Sequence, residues 1–216
     1  HFSWRKLRFD RRSLSLMAKV GIPAGVQGCL FSVSNVVIQS AINAYGSVVV
    51  AGCSAAGSID GFIYVAMNTF HQSAVSFTGQ NVGAKRYDRI PRILLCSQLC
   101  VIVTGVVLGW AAFLFGKPLL SVYSNNAPVI DAGMKRLSVI VTTYALCGMM
   151  DVMVGVLRGL GCSVTPMIVS LLGACGIRIL WLNTVFRIAE FHNVYTVYIS
   201  YPVSWTITLM VHIICY

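Results

Sequence analysis

Phe77–Arg92, FTGQNVGAKRYDRIPR, carries four of the chain's 16 Lys and Arg residues in a polar, glycine-punctuated stretch between two long apolar runs. The chain around it is 57% hydrophobic and only 10% charged, too few polar side chains to cover a water-soluble globule of 216 residues. The flanking runs, 48–77 and 93–115, are each long enough to cross a hydrocarbon core of about 30 Å, which takes roughly 20 apolar residues. Four further runs, 20–44, 134–157, 167–187 and 195–216, have the same character. The expected fold is an all-α integral membrane protein, a bundle of six transmembrane helices in a lipid bilayer. Residues 1–19 are expected as a basic interfacial lead-in and 20–216 as a single bundle.

The distribution of charge agrees. Net charge is +10, yet the basic residues are not gathered on a soluble face with interleaved aromatics, which argues against nucleic acid. Instead they collect at alternate ends of the apolar runs. With a cytoplasmic N-terminus, the inner segments hold Arg5, Lys6, Arg8, Arg11, Arg12, Lys19, Lys85, Arg86, Arg89, Arg92 and Arg158. Lys117, Lys135, Arg136 and Arg187 lie outside, and Arg178 falls within the fifth run. This asymmetry follows the positive-inside rule and makes 77–92 a cytoplasmic loop of a cell-membrane protein. The eight cysteines lie almost wholly within the spans and read as small packing residues; Cys96 and Cys100 share a helix face but lack companion ligands for a metal. The chain starts at His1 without a methionine and stops inside its sixth run, as a piece of a longer protein would.

Polar residues at helical spacing mark faces turned from lipid. The first span places Ser32, Asn35, Gln39 and Asn43 on one face, and the second places Asp60, Tyr64, Asn68 and His71. The fourth aligns Tyr144, Cys147, Gly148, Asp151, Gly155 and Arg158, and the sixth aligns Tyr198, Tyr201, Trp205, Thr208 and His212. Such stripes fit either helix–helix packing or a wet cleft. Asp60 and Asp151 are the sharper signals, since an ionised carboxylate at that depth costs at least about 2.5 kcal/mol and needs a partner, a cavity or a proton. They are the coupling-ion candidates, with His71 as a possible proton shuttle. For Asp60 the competing expectation is a structural pair with Arg178, at similar depth; Asp151 has Arg158 two turns away on the same face. Tyr64, Tyr201 and Trp205 are placed to hold flat cations.

GQNVGAK is not a phosphate loop: three residues rather than four separate Gly79 and Gly83, and Arg86 rather than Ser or Thr follows Lys85. The spacing instead suits a helix end, with Gln80 and Asn81 able to bond free carbonyls. GIPAGVQ, GQNVGAKRYDR and VLRGLGCSVTP together resemble the C-terminal half of the multidrug and toxic compound extrusion (MATE) transporters. Gly79, Gln80, Asn81, Gly83 and Ala84 match that family's loop after its eighth helix. Leu157, Arg158, Gly159, Gly161, Ser163 and Pro166 match the loop after its tenth.

The resemblance implies a non-enzymatic antiporter of two six-helix lobes, exporting small organic cations and drugs through a central cleft against H+ or Na+, with no other cofactor. This chain would be the C-terminal lobe and its partner the N-terminal lobe of the same protein. The first span has no Asp or Glu, unlike that of members with an acidic residue in the seventh helix. A flippase for lipid-linked saccharides, of the same superfamily, is an alternative that would favour a more cationic cleft. An intramembrane aspartyl protease would need Tyr-Asp and Gly-x-Gly-Asp motifs within spans, where this chain has Ile59-Asp60 and Gly148-Met149-Met150-Asp151. A passive channel or scaffold bundle needs no diagnostic motif.

Overall fold

The structure, a computed structural model, describes residues 10–216. It contains six helices long and apolar enough to cross a membrane, and no strand among the described residues. The first three spans are α1 (Arg11–Asn43), α2 (Ser47–Gly83) and α3 (Ile90–Leu114). A short α4 (Gly116–Ser121) follows at the far end. The fourth span is α5 (Ala127–Ile140) and α6 (Tyr144–Gly159), joined through a 3-10 turn at Val141–Thr143. The fifth is α7 (Val164–Ser170), a π turn at Leu171–Gly176 and α8 (Ile177–Asn183); the sixth is α9 (Val194–Cys215).

Several boundaries differ from the hydropathy reading, for local reasons. Residues 1–9 of the expected lead-in lie outside the described residues, and residues 11–19 are the first turns of α1. Asp10 starts that helix by accepting the Ser13 amide at Oδ2, 2.8 Å away. Pro23 is therefore interior to α1. The fourth span begins at Ala127, with Pro128 in its first turn, seven residues before its apolar run, because charged Asp131 hid the helix start.

Both glycine-containing loop motifs end helices by the same device. At the end of α2, Arg86 N–H donates to the Asn81 carbonyl at 2.8 Å across Lys85, whose φ is +58°. At the end of α6, Cys162 N–H donates to the Leu157 carbonyl at 3.0 Å across Gly161, φ +91°. Each is a six-to-one closure around a left-handed residue. Gly79 and Gly83 are still helical, so the turn expected at those glycines falls instead at 84–86.

The fourth span is the core. α6 packs against α2, α3 and α9, and α5 against α2 and α9. Small residues permit the approach: a Cβ on Gly155 would sit 2.7 Å from the His71 carbonyl, and one on Gly148 2.5 Å from Val101 Cγ2. Lipid-facing sides stay apolar, as with Val103 and Val107 of α3 and Phe62 and Val65 of α2, all more than half exposed. α1 is the least embraced of the six spans, touching chiefly the fifth.

Candidate functional site

One face of the bundle opens as a cleft of about 550 Å³ lined from the middle turns of the spans. α1 lines it at helical spacing with Gly28, Phe31, Asn35, Ile38, Gln39 and Ile42, and α2 with Gly57, Asp60, Gly61 and Tyr64. The fourth span adds Arg136, Ile140, Tyr144, Cys147, Met150 and Asp151; the fifth adds Arg178 and the sixth Tyr201 and Trp205. Part of each stripe inferred from spacing thus converges on one space, while Ser32, Gly148, Gly155, Tyr198, Thr208 and His212 do not line it.

The charges inside it are arranged differently from expectation. Asp60 pairs with Arg136, not with Arg178: Arg136 donates to Asp60 Oδ2 from Nε at 3.1 Å and Nη2 at 2.7 Å. The reason is the earlier start of the fourth span. Arg136 lies nine residues into a helix beginning at Ala127, about 14 Å along its axis, rather than at a membrane surface. Asp60 Oδ1 is buried without a hydrogen-bond partner.

Arg178 is instead 3% exposed and held by a hydroxyl and two rings. Its Nε–H donates to Ser204 Oγ at 2.9 Å, while its guanidinium carbon lies 4.2 Å from the Tyr201 ring centre and 5.8 Å from that of Trp205. Tyr144, Trp205 and Tyr201 form a ladder of edge-to-face rings, with centres 5.5 and 5.7 Å apart.

Asp151 faces the cleft from α6, and its carboxylate makes no hydrogen bond or ion pair among the described residues. Arg158 acts on it electrostatically but makes its hydrogen bond to α1, donating from Nη2 to Gln27 Oε1 at 2.7 Å. His71 does not line the cleft. Its Nδ1 is 2.6 Å from the Asp151 backbone carbonyl, which makes Nδ1–H the donor and fixes the ring against α6.

Asn68 is half-buried on α2 and Asn43 is exposed near the end of α1, where it accepts from Gln39 Nε2 at 3.0 Å; neither lines the cleft. Among the loop-motif residues, Asn81 donates from Nδ2 to the Phe77 carbonyl at 2.8 Å, and Gln80 contacts Ser76 Oγ at 3.5 Å. A Cβ on Gly159 would strike Thr78, and Pro166 is buried in the first turn of α7. These residues shape the basic end rather than the cleft. The polar spacing did not mark Arg136, because a cation beside an apparent membrane edge looks like an anchor, nor Met150 and the other apolar and glycine residues of the lining, which carry no polar signal.

The MatE family model matches residues 23–182. Among curated relatives, the probable multidrug resistance protein YoeA of Bacillus subtilis is 21% identical over 208 residues, covering 95% of this chain and 44% of the relative. YpnP of the same organism, also a probable multidrug resistance protein, is 27% identical over 158 residues, 73% of this chain and 36% of the relative. A solved structure of the Vibrio cholerae MATE transporter VcmN superposes on 99% of this chain with a TM-score of 0.84 at 18% identity, using 48% of its own length. The chain therefore spans less than half the length of the relatives it matches, and its fold is that of one transporter half. By the family match over most of its length, and by the bundle that match accompanies, this multi-pass membrane chain belongs to the MatE family.

Proposed function

We propose that the chain is the C-terminal lobe of a cation-coupled antiporter that exports aromatic organic cations by alternating access. The observation that carries this reading is Asp151: a carboxylate on the most buried span, facing the cleft with no hydrogen bond or ion pair among the described residues. At that depth such a group is held by a proton or a small cation, and occupancy by either biases which way a two-lobed cleft opens. The ring ladder of Tyr144, Trp205 and Tyr201 supplies the apolar wall for a flat substrate. In this reading Asp60 and His71 are structural, one engaged by Arg136 and the other by the Asp151 carbonyl. The N-terminal lobe of the same protein closes the open side, and the basic loops face the cytoplasm of a cell membrane.

The test is efflux of ethidium from cells expressing the chain joined to its N-terminal lobe. Asp151→Asn is expected to lower H+- or Na+-driven efflux by at least roughly tenfold at unchanged membrane expression. Wild-type efflux from that variant removes Asp151, and with it this coupling scheme.

A further inference from the structure

We propose that the cleft selects aromatic zwitterions, with Arg178 binding a carboxylate on the substrate. This rests on the transport reading above and narrows its substrate class. Arg178 is 3% exposed, yet no Asp or Glu among the described residues pairs with it; the one ion pair there joins Arg136 and Asp60. Its Nε is taken by Ser204 Oγ. Tyr201 and Trp205 cover the guanidinium face, which leaves the in-plane donors free, because a cation over a ring uses charge and not N–H bonds. Nη1 and Nη2 have no acceptor among the described residues, and neither is sealed from the space around it as an unsatisfied buried atom. They form the end-on pair of a guanidinium, whose two parallel donors match the two oxygens of a carboxylate.

The π turn at Leu171–Gly176, immediately before Arg178, takes up an extra residue in the fifth span and so sets the direction in which Arg178 projects. Such turns recur at ligand sites. The remaining charges in the cleft complete the pattern. Asp60 is neutralised by Arg136, so the cleft-lining charges left without an ion-pair partner among the described residues are the guanidinium of Arg178 and the carboxylate of Asp151. A simple cation pairs with Asp151 but leaves Arg178 without a counter-charge, and a simple anion does the reverse. A flat molecule carrying both charges satisfies each, and about 550 Å³ is the volume of a drug-sized site.

The experiment measures equilibrium binding of three fluorescent probes to the full-length transporter in nanodiscs: aminomethyl-naphthoic acid, its methyl ester, and its N-acetyl derivative. The free acid is expected to bind roughly tenfold more tightly than either derivative. Arg178→Gln should erase the advantage over the ester, and Arg178→Lys should retain part of it. Equal affinity of the wild-type protein for the acid and either derivative overturns the proposal, and so does an advantage over the ester that survives Arg178→Gln. If Arg178→Gln does not fold, the wild-type comparison of acid with ester decides alone. Failure here is separable from failure of the transport reading: a protein that prefers the acid but moves no probe loses only its pump assignment. One that exports ethidium and binds ester and acid alike loses only the zwitterion site.

Discussion

Asp60 and Arg136 neutralise each other in the cleft wall, and each depends on the other. Removing one leaves a buried charge without compensation, which in comparable sites costs about 3–5 kcal/mol, whereas removing both is close to neutral. Arg136 retains 15% side-chain exposure, so the lower end of that range applies. Asp60→Asn is expected to lower the apparent Tm in detergent and the extracted yield, and Asp60→Asn combined with Arg136→Gln should recover most of both. No recovery in the double variant would show that the pair is not what stabilises this wall. A second prediction concerns the two left-handed residues. Lys85 holds φ +58° with a Cβ, and Gly161 holds +91° without one. Lys85→Gly should stabilise by about 0.5–1 kcal/mol and Gly161→Ala should destabilise by about 1 kcal/mol, read from paired thermal melts. At this scale much of the site was legible: Asn35, Gln39, Tyr64, Tyr144, Tyr201 and Trp205 were placed by periodicity and do line the cleft. The partner of Asp60 was not, since a charge pair depends on where two helices begin and hydropathy gives only where they are apolar.

For elements, the decisive feature is how closely the fourth span is approached by its neighbours. A Cβ on Gly105 would lie 2.9 Å from Ala145 Cα, and one on Gly109 would collide with the Val141 carbonyl. Backbone cannot give way as a flexible side chain can, so Gly109→Val is expected to separate α3 from the fourth span at a cost of about 1–3 kcal/mol. Loss of monodispersity in size-exclusion chromatography measures it; an unchanged profile and melt would mean that the helices are not held that tightly. The six long apolar runs made the spans plain in sequence. The π turn was invisible, because Leu171–Gly176 has ordinary helix-compatible residues. Beyond such a turn, phases counted at 100° per residue are off by about one residue, which is one reason the fifth span's polar face went unread.

On the scale of the whole molecule, the asymmetry of basic loops predicts orientation. A membrane-impermeant maleimide applied to intact cells should label Asn125→Cys, in the loop before α5, and should reach Cys162 only after permeabilisation. The reverse pattern would invert the topology and place the basic ends outside. Membership in a two-lobed family was legible from the two loop motifs, whose helix-ending geometry the structure explains. Which residues look across at the other lobe was not, because polar stripes form equally at packed seams and at open clefts, as Asn68 and Asn43 show.

The loosely held first helix has a mechanical corollary. From Gln27, tied to Arg158 at the basic end, to Asn43 is 16 residues, a lever of about 24 Å. A tilt of roughly 10° about that tether swings the far tip by some 4 Å, more than the thickness of an aromatic ring. The aperture of the cleft thus follows the lean of this one helix, and a small leaning of a single rod suffices to admit or expel a flat molecule while the other five spans stand still.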